Sequence, residues 1–342
     1  MRTQRVLVMV HEELVPPPTI EGLSDKEMDP WKAEYDVVVT LDELGHQTKV
    51  LGVADDLGVI RAAIDEFKPH IVFNMLEEFH GLGTTMPYVL GFLELMHQPY
   101  TGCNPVGLML AYNKALTKKI LRYHRIPIPQ FAVFPRGRAV RRPTRLFFPL
   151  IVKSDTEHGS VGITQASVVY DDEKLVERIA YVHEQLHTDA IVEQYIDGRE
   201  LYVGVMGNRR LETFPVWELV FENLPDGAPR IATEKVKWDL TYQRRAGIKT
   251  RNAQDLPDGA AAYMARVAKR VYRTLGQSGY ARLDFRLAPD GSIYLLESNP
   301  KPHLAYGEDF AESAHLAGIE YDRLIHRILN LGLRYHRREV HT

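Results

Sequence analysis

Residues 280–300, YARLDFRLAPDGSIYLLESNP, constrain the fold more than any other stretch of the chain. Two runs of alternating apolar and polar side chains flank Asp290-Gly291, a pair that favours a two-residue hairpin turn with φ > 0 at both centres. With the turn there, Pro289 faces Ser292, Asp284 falls opposite Glu297, and Arg282 falls opposite Asn299. Side chains alternate between the faces of a sheet. One face therefore carries Leu283, Phe285, Leu287, Tyr294 and Leu296, and reads as core. The other carries Arg282, Asp284, Arg286, Glu297 and Asn299. Directly opposed carboxylates repel and weaken a strand pair, so that face asks for a cation. The neighbouring arginines are one source. A divalent ion is the other, because Asp, Glu and Asn offer the oxygen ligands that Mg²⁺ takes, usually alongside substrate phosphates.

The remaining sequence must say where phosphates would come from. At 342 residues the chain can build two or three packed units. A net charge of −3 gives no reason to expect nucleic acid or a membrane surface as partner. Cys103 is the only cysteine, which excludes an intrachain disulfide framework and a thiolate metal cluster. No apolar run approaches the roughly 18 residues of a membrane span. The start, MRTQRVLVMV, enters a strand pattern without a cleavable signal, so a cytoplasmic protein is expected.

Strand patterns at 5–10, 47–53 and 70–76 alternate with helical patterns around 30–44, 56–67 and 84–96. That alternation predicts an α/β unit with a parallel sheet covered on both faces. The unit ends near Asn104-Pro105, and one helix is expected over 106–124. Strands follow at 149–154, 163–170, 190–196, 199–207 and 211–221, with a helix at about 171–186 among them. Residues 223–258, polar and rich in Pro and Gly, read as loop. A helix at 258–276 precedes the hairpin, and helices at 308–317 and 321–334 close the chain.

Three further features could carry chemistry. Lys153 ends a buried strand and is followed by Gly159 and Gly162, and glycine-bearing loops let backbone N–H groups approach phosphates while a lysine adds charge. Lys114 lies on the helix after the first unit. The stretch VEQYIDGRE puts Glu193 and Glu200 on two strands joined by Asp197-Gly198, where backbone can read an adenine edge and a carboxylate can accept from ribose hydroxyls.

Taken in order, NKALTKKIL (113–121), PLIVKSDTEHGSVGIT (149–164), VEQYIDGRELYVGV (192–205), GYARLDFRL (279–287) and LLESNP (295–300) resemble the D-alanine–D-alanine ligase branch of the ATP-grasp superfamily. The first 100 residues match mainly in layout. The resemblance implies an N-terminal pre-ATP-grasp domain over 1–104, a small lid subdomain over 105–200, and a metal- and substrate-binding subdomain over 201–342, the last two forming an α+β ATP-grasp unit. It also implies ATP and two Mg²⁺ ions (Mn²⁺ as a substitute), an acid and an amine as small-molecule substrates, and a homodimer.

By this likeness Lys114 and Lys153 contact ATP phosphates, with Lys153 also serving catalysis. Glu193 and the backbone of Tyr195 and Ile196 hold adenine, and Glu200 holds the ribose. Asp284, Glu297 and Asn299 hold the metals. Arg282 steadies the reacting phosphoryl group, and Ser160 belongs to a closing loop. Lys237 matches a lysine near the phosphates, though Lys235 is equally legible. Glu12 or Glu13 would meet a substrate amine, and His80 echoes the first domain of the ligases. Two departures concern the substrate. His303 stands where the ligases have a glycine at the oxyanion hole, and Glu308 where they have a serine that binds the second D-alanine's carboxylate. The expected activity is therefore an ATP-dependent carboxylate–amine ligase working through an acyl phosphate, with a true D-alanine–D-alanine ligase and a non-catalytic nucleotide-binding module as alternatives.

Overall fold

A computed structural model of the protein describes residues 3–225 and 227–339. The first unit contains β1 (Arg5–His11), α1 (Asp25–Met28), α2 (Lys32–Glu43), β2 (Gln47–Val53), α3 (Leu57–Phe67), β3 (Ile71–Asn74), α4 (Met86–Leu95) and α5 (Pro105–Ala111). Its strands form the parallel sheet that the sequence predicts, ordered β2-β1-β3. The central strand is apolar from Val6 to Val10 because both of its faces are covered. Val6, Val8 and Val10 pack with Leu324, Ile325 and Ile328 from near the C-terminus, and Leu7 and Met9 with Ile60 and Leu90. The end of the chain thus completes the core of its beginning.

The second unit holds α6 (Lys114–Tyr123), β4 (Phe131–Phe134), β5 (Leu150–Ser154), β6 (Val168–Val169), α7 (Asp172–Gln185) and β7 (Ala190–Gln194). Its antiparallel sheet runs β4-β7-β5-β6. The single helix expected over 106–124 is two helices, since Asn113 accepts from the Leu116 N–H and caps α6 afresh. That break aims the start of α6 at the loop after β5, where Asp155 accepts from the Ala115 N–H at 2.7 Å. The strand expected at 163–170 is a 3-10 turn followed by only two strand residues.

The third unit comprises β8 (Arg199–Met206), β9 (Glu212–Thr213), β10 (Trp217–Phe221), α8 (Glu234–Trp238), α9 (Leu240–Ala246), β11 (Ile248–Asn252), α10 (Ala260–Thr274), β12 (Tyr280–Leu287), β13 (Ile293–Asn299), α11 (Asp309–Leu316) and α12 (Tyr321–Glu339). The sheet order is β11-β10-β8-β12-β13, with β9 alongside β8. The run 211–221 is split into β9 and β10, with Pro215 between them. The supposed loop at 223–258 contains two short helices and an edge strand. Each helix starts at a side-chain cap, Thr233 on the Val236 N–H and Asp239 on the Tyr242 N–H.

The β12–β13 hairpin keeps the expected outer register, with Arg282 opposite Asn299 and Asp284 opposite Glu297, but reaches it differently. The loop is one residue longer than a two-residue turn, with Ala288 paired to Ser292. A bulge between Asp284 and Phe285 on one side and Leu295 and Glu297 on the other takes the extra residue back. Leu295, not Leu296, consequently joins the core, and Leu296 turns to the cleft.

Candidate active site

A cleft with about 660 Å³ of space open to solvent lies between the second and third units. Lys114, Lys153 and Ser160 line one wall, and Glu200, Lys237, Asp284, Arg286, Leu296 and Glu297 the other. Residues from six stretches of sequence thus meet in one space. Lys235 is exposed and outside it, so the geometry favours Lys237 of the two lysines.

The lysine wall is built on Glu193, which is only 1% exposed beneath the cleft. Lys118 Nζ lies 3.2 Å from one of its oxygens and Lys153 Nζ 3.3 Å from the other. Burial opposes the charge on Glu193, but the two ammonium groups outweigh it and hold its pKa below the ordinary carboxylate range. Its carboxylate is therefore committed to placing lysines and does not line the cleft. Lys118 was not singled out from the sequence. The signal was its i, i+4 spacing from Lys114 on α6, which puts both on one helix face. Lys118 also donates to the Leu296 carbonyl at 2.9 Å, pinning the bulge of the hairpin.

On the opposite wall Arg282 grips Asp284 in fork fashion, Nε and Nη2 each 2.8 Å from a carboxylate oxygen, while Nη1 donates to Asp309 at 2.6 Å. The guanidinium also lies over the Tyr202 ring, 4.2 Å from its centre. Burial, with Glu297 opposite, pushes Asp284 up to about 6 against the pull of Arg282, so it remains ionised at neutral pH. Glu297 behaves oppositely. Burial would raise it, but Lys237, Lys114, Lys153 and His158 together hold it at about 2. Glu297 makes no hydrogen bond or ion pair among the described residues. Asn299 accepts from the Lys301 N–H. Glu200 is paired to Arg286 at 2.7 Å and accepts from the Tyr202 hydroxyl.

The donor set fits a hard cation only in part. Among the described residues no group of three or more His, Cys, Asp or Glu side chains could hold a metal ion. Two carboxylates and an amide are an incomplete shell of the kind that phosphate oxygens complete around Mg²⁺. The free carboxylate of Glu297, ionised and facing the lysines across the cleft, is the group with capacity to spare.

The loop after β5 covers the cleft. Gly159, Ser160 and Gly162 all have φ between 64° and 70°. It is tied to α8, where Trp238 donates to the Gly159 carbonyl at 2.9 Å and Glu234 accepts from the Gly162 N–H at 3.0 Å. The His158 ring packs against Tyr112 with centroids 4.4 Å apart and planes tilted by 38°, and burial beside Lys114 pushes its pKa down to about 3. In the unfolded chain a histidine titrates near 6.5. Neutral His158 thus favours the closed loop above about pH 6.5, and that contribution is lost as pH falls towards 3. Lys114, Glu297 and Lys237 are the charges that act on it. Local opening of this loop, read by hydrogen exchange corrected for intrinsic rates, is expected to rise about tenfold per pH unit between pH 5.5 and 4.5. A His158→Gln variant should lose that dependence.

The remaining expected substrate residues do not line the cleft. Glu12 and Glu13 are exposed in a 3-10 turn after β1, where the His11 ring accepts from the Glu13 N–H. His80 is exposed with φ 57°. His303 and Glu308 are exposed on the segment leading to α11. Tyr195 and Ile196, expected to hold adenine through their backbone, are buried outside the cleft lining.

A family model described as D-ala D-ala ligase C-terminus matches residues 120–330. A D-alanine–D-alanine ligase of Bordetella pertussis is 34% identical over 241 residues, which cover 70% of this chain and 72% of that protein. An uncharacterised protein of Sinorhizobium fredii is 29% identical over 306 residues, covering 87% and 86%. In fold the chain is similar to the D-alanine–D-alanine ligase of Bacillus anthracis complexed with ATP, with a TM-score of 0.76, 22% identity, and coverage of 98% and 100%. A two-wall cleft on an ATP-grasp scaffold defines the class. The chain belongs to the D-alanine–D-alanine ligase family of ATP-dependent ligases, which form an amide bond using ATP and a divalent metal ion. No helix among the described residues is long and apolar enough to cross a membrane.

Proposed function

We propose that the protein is an ATP-dependent ligase that joins the carboxylate of an acid, an amino acid on the family likeness, to an amine through an acyl phosphate. One observation carries this reading: a single cleft has Lys114, Lys153 and Lys237 around it and Asp284 and Glu297 on its far wall. Phosphoryl transfer asks chiefly for positioning and charge neutralisation, and this arrangement supplies both. Lys114 and Lys153 neutralise the phosphates. Leu296 and Ile151 give the cleft an apolar lining, and Glu200, which also lines it, would accept from the ribose hydroxyls. Asp284, Glu297 and Asn299 would hold magnesium, two ions on this reading with manganese able to substitute, and bound metal would draw charge off the transferring phosphoryl group. Arg282 is the cation beside the reacting carboxylate.

The sequence of events follows from the chemistry. A carboxylate oxygen attacks the terminal phosphorus and ADP leaves with the bridging electron pair. The amine lone pair then forms the C–N bond, the acyl C–O bond breaks, inorganic phosphate departs, and the amine loses a proton to water. The closing loop keeps water from the acyl phosphate. Activity is tested with an acid labelled by heavy oxygen in its carboxylate: one label atom should appear in inorganic phosphate, with ADP as the nucleotide product. Tight ATP binding with no ADP released by any acid would leave a binding module instead.

The names of the relatives favour D-alanine–D-alanine ligase itself as a second reading. Residues 154–162 supply a further check common to both. Limited proteolysis there is expected to fall by at least about tenfold on adding ATP and magnesium. Equal cleavage in both conditions would count against a closing loop.

A further inference from the structure

Along β12, the side chain beyond Asp284 on the same face and away from the nucleotide cleft is Arg282, and beyond it lies Asp309 at the start of α11. On the ligase reading the nucleotide fills the cleft on the other side of Asp284, which leaves this side for the acceptor. Arg282 would be the natural partner for an anionic acceptor, but three of its five N–H donors are already spent on Asp284 and Asp309. Asp309 is 7% exposed, and its second oxygen, Oδ1, is buried with no hydrogen-bond partner among the described residues. A buried acceptor atom without a donor is costly unless something arrives to satisfy it.

A second observation concerns the other side of the segment after the hairpin. Glu34 on α2 is 6% exposed and has no hydrogen bond or ion pair to another residue among the described residues. Burial raises its pKa, and Glu77 raises it further, while His303 and Lys301 pull it down, so it shares its surroundings with that segment. The nearby cations are engaged: Lys301 donates to the Leu76 carbonyl, and Lys32 to Asp36 and to the Tyr306 carbonyl. Carboxylates therefore outnumber available cations around the acceptor side.

We propose that Asp309 sets the class of acceptor, an amine whose neighbouring group is an N–H donor, amide or ammonium, and not the carboxylate of a free amino acid. The inference rests on the ligase reading above. In the coupling step the free amine forms the C–N bond, phosphate leaves with the acyl C–O electron pair, and water takes the amine proton. The neighbouring N–H group bonds to Asp309 and does not react.

Three acceptors of nearly one shape isolate the point: D-alanine, D-alaninamide and 1,2-diaminopropane. The acid is first found by presenting each D- and L-amino acid with ATP, magnesium and hydroxylamine, a small nucleophile that traps an acyl phosphate as hydroxamate whatever the acceptor site prefers. With that acid, kcat/KM for ADP release is expected to be about a hundredfold or more higher with D-alaninamide or 1,2-diaminopropane than with D-alanine, the scale of an unpaired like charge under partial screening. The relative rates of the amide and the diamine then say which donor is taken. Asp309→Asn should shrink the preference over D-alanine by about tenfold or more, a ratio that general loss of folding would not move. D-alanine used as well as its amide by the unmodified protein, with hydroxamate forming, would overturn the inference and leave the ligase reading standing. No hydroxamate and no ADP with any amino acid would sink both.

Discussion

Glu297→Gln is expected to lower ATP turnover by at least about a hundredfold, the scale of a misplaced reacting group, and to leave a folded but less stable protein. The activity loss follows from its position. It is the ionised carboxylate of the cleft with no partner among the described residues, opposite Asp284 and within the field of three lysines. The stability loss reverses what the sequence alone implies, where relief of carboxylate repulsion would stabilise the hairpin. Burial raises the pKa of Glu297, yet Lys237, Lys114 and Lys153 depress it to about 2, below an ordinary glutamate. A depressed carboxylate contributes stability above its unfolded pKa, near 4.3, and loses it as pH falls to the folded value. The melting temperature of the metal-free variant should therefore lie below the parent's at pH 7, with the gap closing between about pH 4 and pH 2. Asp284→Asn should lose turnover similarly. Near-normal ADP release at low magnesium in either variant would remove the metal assignment.

Much of this site was legible because it is local. The alternation in 280–299 brings Asp284 and Glu297 together on neighbouring strands, and Lys153 announces itself at the end of a buried strand. Even there, correctness had an unforeseen route. The turn is one residue longer than Asp290-Gly291 suggests, and the bulge at Leu296 cancels the slip. Period-2 reading cannot see a bulge held by a lysine 178 residues away, as Lys118 holds the Leu296 carbonyl. The helices in 223–258 were missed for another reason. They are 5 and 7 residues long, too short for helical periodicity to emerge, and only the caps Thr233 and Asp239 mark them. Glu34 and Asp309 were invisible as site residues because their meaning comes from tertiary neighbours: one has no hydrogen-bond or ion-pair partner among the described residues, the other reaches back 27 residues to Arg282.

Arg282→Met is expected to destabilise the protein by about 3–5 kcal/mol, the cost of abandoning buried charges by removing their partner, and to abolish turnover. Arg282, Asp284 and Asp309 are all buried, and the arginine is the ion-pair partner of both carboxylates. Without it both are left buried and unpaired. The deficit, measured by urea unfolding, should shrink as pH falls and the orphaned carboxylates take protons, because their charged forms alone are penalised. The double variant Arg282→Met/Asp309→Leu tests the division of roles. Replacing an ion pair by apolar groups of similar volume is often close to neutral, so the share of the loss due to Asp309 should be recovered while that due to the still unpaired Asp284 remains. Turnover should not, because the cation beside the reacting carboxylate is still missing. A single variant as stable as the parent would show that the buried network contributes nothing net to the fold. A double variant that regained ADP release would show that Arg282 serves the architecture of this wall and not the reaction.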